Sequence, residues 1–152
     1  MTSSSTDAAQ FAVYWHLWTD TDGITHQSKC RFDKLELKNF APPAKDLWVR
    51  RLAAEPEDIT ILVLQPGTLQ WHRNPRPQWI VPLSGTWFVE SMDGTRVEMG
   101  PGELSFGEDQ LAREDANGRA GHLSGVVGEA PCVLMLIQIQ DPPRQGLACR
   151  ID

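Results

Sequence analysis

The sequence predicts an all-β protein, a sandwich or a barrel with little helix. Three observations support this prediction. Short runs with the composition or the alternation of β-strands follow one another along the chain. Turn signals rich in glycine, proline and aspartate separate these runs at regular intervals, and few segments have the pattern of a helix. With 152 residues, 41% of them hydrophobic, the chain suits one domain with a sizeable core.

The strand signals of the first half of the chain are irregular. We predict a first strand over residues 11–18, followed by a glycine-containing turn at 20–23. Alternation of leucine with charged residues predicts a half-buried strand over 31–38. Residues 46–54 fit either a strand or a short helix. The β-branched run at 59–64 predicts a buried strand, because prolines bound it on both sides.

Clearer signals follow in the second half. Residues 78–83 and 86–91 are predicted strands on either side of a Ser84-Gly85 turn. Because Pro82 cannot donate a ladder hydrogen bond, we expect it at a sheet edge or a bulge. Asp93-Gly94 is the strongest hairpin signal and joins the second of these strands to the next. Further strands are predicted at 95–99, 103–106, 122–127 and 132–140, with a long polar loop at 110–120.

Composition and charge narrow the classes of partner. The formal net charge is −6 and no basic face stands out, so we expect no nucleic-acid partner. No run of about 18 apolar residues is present, so we expect no membrane span. The Ser/Thr-rich residues 1–10 lack the pattern of a secretory signal and predict a flexible tail. A single domain then covers 11–141, and 142–152 form a peripheral tail.

The three cysteines are Cys30, Cys132 and Cys149. Their odd number and the lack of a CxxC spacing predict neither a disulfide framework nor a zinc ribbon. A reducing cytoplasm is therefore the predicted compartment. Cys132 lies in an apolar run, so we expect it to be a small buried hydrophobic residue.

The stretch from Gly67 to Gly85 contains the most informative spacing. His72, Asn74 and Gln78 share parity, so on an extended strand their side chains point to one side and can converge on one point. A second histidine, His122, follows the long polar loop. Imidazole suits both proton transfer near neutral pH and ligation of a transition metal.

These residues resemble the two motifs of the cupins, and the chain as a whole resembles a group of small bacterial single-domain cupins over about residues 13–140. The matching segments are Asp22–His26, Gly67, His72-x-x-Pro75-Arg76-x-Gln78, Leu83-Ser84-Gly85, Asp93-Gly94, Gly100-Pro101-Gly102, Glu108-Asp109, Gly121-His122 and Val126-Val127-Gly128. Asn74 stands where the family has its second histidine, Gln78 where it has its glutamate, and His122 comes later than usual. The resemblance implies a cupin-type β-barrel (a jelly roll) with its site inside.

For the reaction, the resemblance leaves three interpretations open. In the first, His72, His122 and Gln78 are catalytic in a lyase, isomerase or cyclase that needs no cofactor and acts by acid–base chemistry on a small, largely apolar or aromatic substrate. In the second, the same three side chains hold one divalent transition metal (iron, manganese, nickel or zinc) in an oxygenase or a lyase. In the third, the protein binds a small molecule without turnover, and each histidine has a structural role.

A further set of residues is predicted to bind the substrate. The chain has 6 tryptophans against 1 tyrosine, and some of them are expected to line a cavity while the others fill the core. An arginine near His72 suits a carboxylate clamp. The predicted substrate-binding residues are His26, Trp71, Asn74, Arg76, Trp79 and Trp87. Glu108 or Asp109 is expected to orient His122, and His16 to be structural. The resemblance also implies a homodimer.

Overall fold

The computed structural model describes residues 12–39, 41–52 and 55–151, so the predicted tail at 1–10 lies outside the described residues. The described residues form strands and loops and no helix, which confirms the all-β class. None of them forms a helix that is long and apolar enough to cross a membrane. The strands are β1 (Ala12–Thr19), β2 (Thr25–Phe32), β3 (Glu36–Lys38), β4 (Leu47–Val49), β5 (Pro56–Leu64), β6 (Gly67–Thr68), β7 (Gln78–Ser84), β8 (Trp87–Ser91), β9 (Arg96–Met99), β10 (Ser105–Gly107), β11 (His122–Val126) and β12 (Cys132–Ile139).

Two sheets pack face to face. The larger has six strands in the order β2-β1-β10-β7-β12-β5, and the smaller has four in the order β6-β11-β8-β9. Leu17, Ile80 and Leu136 of the larger sheet pack in one buried cluster with Trp87 and Val89 of the smaller. We call the space between the two sheets the interior. The hairpin of β3 and β4 stands apart as a two-stranded sheet.

A second core lies on the outer face of the larger sheet. It contains Tyr14, Phe32, Trp79, Phe106 and Ile139, all buried. Successive side chains of a strand point to opposite faces, so Trp79 belongs to this outer core while its neighbours in β7 face the interior. Both faces of the larger sheet are therefore apolar over much of their extent.

Cys149 and Ile151 of the predicted C-terminal tail pack against this outer core. Cys149 forms a disulfide with Cys30, 119 residues away. Arg150 forms an ion pair with the buried Glu108, and the Tyr14 hydroxyl donates to the Ile151 carbonyl. The prediction of no disulfide is wrong for this pair, because spacing in sequence cannot show that β2 and the tail meet. The free Cys132 is buried, as predicted. The predicted cytoplasmic location loses one of its reasons and stays a prediction.

Several local predictions are confirmed. Asp93-Gly94 closes the hairpin of β8 and β9. Pro82 lies in the middle of the larger sheet, where the register with β12 shifts at a bulge, so its missing donor is tolerated. Residues 47–49 of the ambiguous segment form a strand. The Ser84-Gly85 turn carries the chain from one sheet to the other, because β7 and β8 belong to different sheets.

Two burial predictions are wrong. The prediction of a buried strand fails for β5, which lies at the edge of the larger sheet and has β12 as its one partner strand among the described residues. Ile59, Ile61 and Val63 on its outer face are 63%, 53% and 57% exposed. The predicted half-buried strand at 31–38 is divided between the end of β2 and the exposed β3. Apolar composition shows that burial would stabilise a strand. It does not show whether another segment of this chain packs against that strand.

Candidate functional site

His72 and His122 lie directly opposite each other at one end of the smaller sheet. Each backbone N–H donates to the other residue's carbonyl, at 3.0 and 2.9 Å, and the ring centroids are 4.4 Å apart. Opposite residues of an antiparallel bridge point to the same face, and His122 has the parity of Val126, which packs in the interior. Gly121 permits this approach: its φ is +87°, and a Cβ there would clash with the His72 carbonyl.

The most enclosed ion pair of the site is formed by His122 and Asp109. The Nδ1 atom of His122 lies 2.6 Å from Oδ2 of Asp109, and the side chains are only 4% and 0% exposed. The other carboxylate oxygen accepts from the Asn74 backbone N–H at 2.9 Å. An ionised carboxylate only accepts, so Nδ1 of His122 donates, and in the neutral ring Nε2 keeps its lone pair. The hydrogen bonds of the described residues include none to Nε2.

His72 has a similar orientation in a more open place. Its Nδ1 lies 2.6 Å from the Gln70 carbonyl oxygen. A carbonyl only accepts, so Nδ1 donates and Nε2 is again the unprotonated nitrogen of the neutral ring. The side chain is exposed, whereas His122 is buried. The site therefore pairs one imidazole in contact with solvent with one that is enclosed.

A chain of amides lies beside this pair. Gln138 Nε2 donates to Gln78 Oε1 at 3.2 Å, and Gln78 Nε2 donates to Asn74 Oδ1 at 2.8 Å. Asn74 and Gln78 are both 5% exposed. Asn74 also links the two groups, since its backbone N–H donates to Asp109. The even spacing of residues 72, 74 and 78 is not what brings their side chains together. Residues 73–77 are not part of a strand and form a turn between the two sheets.

The predicted long loop at residues 110–120 is held down at one end. The Arg113 N–H donates to the Gly23 carbonyl at 2.9 Å, and Arg73 Nε donates to the Ala112 carbonyl at 2.8 Å. Gln110 Nε2 donates to the Asn74 carbonyl at 3.1 Å. These bonds hold the start of the loop next to the amide chain.

Of the predicted tryptophans, Trp87 faces the interior, within the apolar cluster, and its indole N–H has no partner among the described residues. Trp71 is half-buried beneath the Arg119 guanidinium, 5.2 Å from the ring centroid. Trp79 lies in the outer core, on the opposite face of β7 from Gln78. The structure therefore does not bring Trp79 to the histidine pair.

Arg76 and His26 also lie elsewhere. Arg76 forms an exposed ion pair with Glu57. The ring of His26 lies between the carboxylates of Asp20 and Asp93, at 2.7 and 2.9 Å, and stacks on Trp18. Arg76 and His26 thus each bind acidic partners at the surface. The sequence alone does not reveal these pairings.

A metal site would need ligands that converge. His72 and His122 each have an Nε2 atom available, but the amide of Gln78 is bonded to Asn74 and Gln138. The described part of the chain contains no group of three or more histidine, cysteine, aspartate or glutamate side chains placed to hold a metal ion. Two imidazoles fall short of the usual three protein ligands. The donor set does not fit the predicted metal site, and we derive no step through a metal.

Several polar residues of the site were not singled out from the sequence. Gln27 and Gln138 face the interior because of strand pairing, which no local pattern reveals. Asp109 was one of two candidates to orient His122; its neighbour Glu108 instead bonds His16 at 2.7 Å and Arg150 in the outer core. His16 is buried and hydrogen-bonded, as predicted.

Comparison of the sequence with protein-family models and with curated proteins gives no match. The resemblance to cupins therefore stays a prediction from the motifs, and the chemistry has to be argued from the site itself.

Proposed function

We propose that this protein is a cofactor-independent acid–base enzyme, a lyase, isomerase or cyclase, that acts on a small, largely apolar molecule at the end of the interior. The observation that supports the proposal is the buried 2.6 Å hydrogen bond between Asp109 and His122, with Nε2 of His122 left unbonded. A base oriented by a buried carboxylate is the arrangement that general-base catalysis needs. In the cupin barrel that the motifs predict, this place is the substrate site.

His122 is the proposed proton acceptor and donor. Its Nε2 takes a proton from a carbon next to a substrate carbonyl, and the imidazolium that forms is stabilised by the negative charge of Asp109. The imidazolium then gives a proton to another atom of the substrate or to its leaving group, so no oxidant or reductant is required. His72, 4.4 Å away between ring centroids, exchanges protons with solvent.

Non-catalytic binding is the second candidate. Buried polar atoms without a partner among the described residues, such as Nδ2 of Asn74, favour an interior that receives a polar ligand. They support binding whether or not a reaction follows, so a measurement of proton transfer has to separate the two candidates.

Proton transfer from simple carbonyl compounds is the measurement that tests the proposal. A panel of small ketones, lactones and lactams is incubated with the protein in D2O, and loss of the C–H signal next to the carbonyl is followed by proton NMR. We expect catalysed exchange that falls by about 10²–10⁴-fold in His122→Ala. Glu98→Gln, an exposed position on β9, is the control and keeps the wild-type rate.

The outcomes distinguish the three interpretations. Exchange that His122→Ala does not slow contradicts the proposed role of His122. Exchange that a chelator abolishes in wild-type protein favours the metal-dependent interpretation. Saturable binding of a panel member, with no exchange above buffer for any compound, favours the non-catalytic one.

A further inference from the structure

We propose that a row of amide side chains on the interior face of the larger sheet is the subsite that selects the ligand, and that it takes a neutral amide-like group such as a lactam or a carboxamide. The inference deepens the proposed function and rests on it only in placing the ligand next to His122. Strand register, an unfilled hydrogen-bond chain and the lack of charge in the row support it.

Strand register places the row. Gln27 of β2 lies opposite Leu17 of β1, Leu17 pairs with Gly107 of β10, and Gly107 pairs with Gln78 of β7. Gln138 of β12 pairs with Gln78 on its other side. Residues directly opposite each other share a face, and Leu17 packs in the interior cluster. The whole row therefore faces the interior.

Gly107 has no side chain, and the side chain of Asn74 occupies the space above it. The position that a Cβ of Gly107 would take is occupied by the Nδ2 atom of Asn74. The amide of Asn74 thus lies in the row, over β10, although Asn74 itself belongs to the turn between the sheets. A glycine at this place keeps the interior open to a polar group.

The hydrogen bonds of the row run in one direction and end without an acceptor. Gln138 donates to Gln78 and Gln78 donates to Asn74, but Nδ2 of Asn74 is buried with no partner among the described residues. Successive bonds of this kind polarise each other and strengthen the last donor. A buried donor left unbonded is unfavourable, so a ligand carbonyl oxygen is favoured at this place.

Gln27 approaches from the other side of Gly107. Both its side-chain nitrogen and its side-chain oxygen are buried without a partner in the described part of the chain. It lies two strands from Gly107, about 10 Å between backbones at the usual strand spacing, on the same face of the sheet. Together with the Asn74 donor, this free acceptor and free donor give the row both kinds of partner for a group that has a carbonyl and an N–H.

None of the four amide side chains carries a charge, and Asp58, which pairs with Gln138 at the edge of the sheet, is exposed. A carboxylate or an ammonium group of a ligand would be buried among amides without a counter-ion, which is unfavourable. The buried Asp109 carboxylate nearby also disfavours an anion. The row therefore selects a neutral ligand group.

The test uses two ring compounds of the same shape. The probe 2-pyrrolidone has an N–H where γ-butyrolactone has a ring oxygen, and succinate is the charged comparison. Each is titrated into ¹⁵N-labelled full-length protein while the side-chain NH2 signals of Asn74 and Gln27 are followed by NMR. We expect saturable shifts with 2-pyrrolidone at about millimolar concentrations and binding about fivefold weaker for γ-butyrolactone, the effect of one hydrogen bond.

Gln27→Leu should abolish the preference for 2-pyrrolidone, whereas Gln65→Leu, at an exposed glutamine, should keep it. Gly107→Ala should displace the Asn74 amide and so remove the shifts. It replaces Gln27→Leu as the test variant if Gln27→Leu does not fold. His122→Gln should bind 2-pyrrolidone as wild type does even where proton exchange is lost, so the subsite and the reaction fail separately. Absence of saturable shifts with every probe, a preference that survives Gln27→Leu, or succinate binding as tight as 2-pyrrolidone overturns the proposal.

Discussion

Asp109 reaches the proposed chemistry only through His122. Its two carboxylate oxygens are used by His122 Nδ1 and by the Asn74 backbone N–H, and its side chain has no exposed surface. We predict that Asp109→Asn slows catalysed exchange by about 10²-fold or more, because an amide neither fixes the tautomer nor stabilises the imidazolium. The measurement is the rate of exchange in D2O.

A second readout separates this positioning role from a purely structural one. In wild-type protein the ¹⁵N shifts of the His122 ring should show the proton on Nδ1, and in Asp109→Asn this preference should weaken while the backbone spectrum stays folded. An unchanged tautomer combined with a large loss of rate would contradict the orientation argument.

Glu108 is a fully buried carboxylate whose ionisation is linked to stability. Burial raises its pKa, but hydrogen bonds from His16 and Arg150 outweigh burial and hold the pKa below its usual 4.5. The folded state then binds fewer protons than the unfolded state in this range, so the contribution is full above about pH 4.5 and is lost as the pH falls toward the lowered pKa. We predict that Glu108→Gln costs about 3–5 kcal/mol at pH 7, because Arg150 loses its buried counter-charge.

Urea unfolding at pH 7 and near pH 4 tests this prediction. Glu36 also has a lowered pKa, through its hydrogen bond with Lys38, but both side chains are exposed. Glu36→Gln is therefore the matched control, and its unfolding midpoint should not change measurably. Equal effects of the two variants would show that burial of the Glu108 cluster does not matter for stability.

Sequence patterns predicted some residues of the site and missed others. His72, Asn74, Gln78 and His122 were candidates from spacing and resemblance, and three of the four are buried at one end of the interior. Gln27 was not a candidate, because its position depends on pairing with Leu17, which a linear pattern does not encode.

Among the elements, the C-terminal tail has the clearest energetic role. Its disulfide joins residues 119 apart, and such a cross-link restricts the unfolded chain by about 4–5 kcal/mol in the loop-entropy treatment. We predict that Cys149→Ser lowers the thermal midpoint and that dithiothreitol lowers that of wild type to the same value. Calorimetry with and without the reductant is the measurement.

Cys132→Ala is the control for thiol chemistry, because Cys132 is free and buried. This variant should respond to dithiothreitol as strongly as wild type does. A wild-type midpoint that the reductant leaves unchanged would mean that the bond between Cys30 and Cys149 does not stabilise the fold.

The bridge between His72 and His122 depends on Gly121. Gly121 and Gly128 have almost the same φ, +87° and +84°, but a Cβ at Gly121 would strike the His72 carbonyl while Gly128 has open space. We predict that Gly128→Ala costs about 1–2 kcal/mol for its backbone conformation alone and that Gly121→Ala costs clearly more. Unfolding free energies, with hydrogen exchange of the His72 amide, measure the difference; equal costs would contradict the clash.

The sequence predicted the positions of strands and turns better than it predicted which strands are buried. The hairpin at Asp93-Gly94 and the bulge at Pro82 follow from local backbone chemistry, and both are present. Strand β5 has the composition of a buried strand and yet is exposed, because burial depends on what another part of the chain, or another chain, places against it.

On the scale of the whole molecule, alternation along the strands predicted the all-β class, because alternation follows directly from two-sided sheets. The division into two sheets with a second outer core could not be predicted in this way. That arrangement depends on which strands pair over long separations, such as β1 with β10, and on the meeting of Cys30 with Cys149.

The exposed face of β5 is where the homodimer predicted from the sequence would form. Ile59, Ile61 and Val63 stand out from an edge strand whose outward N–H and C=O groups have no partner strand among the described residues. The central part of this edge has none of the charges, prolines or bulges that usually protect an edge. Pairing with β5 of a second copy about a two-fold axis would extend the sheet and cover these side chains, while Glu57 and Asp58 would lie at opposite ends of the interface.

Light scattering after size-exclusion chromatography measures the outcome. We predict twice the chain mass of 17.0 kDa for wild type and a monomer for Ile61→Lys, because a buried, unpaired ammonium group opposes association. Leu147→Lys changes an exposed leucine in the C-terminal tail and should leave the dimer intact. A monomeric wild-type protein would contradict the predicted homodimer, and a dimer that persists in Ile61→Lys would exclude the β5 face as its interface.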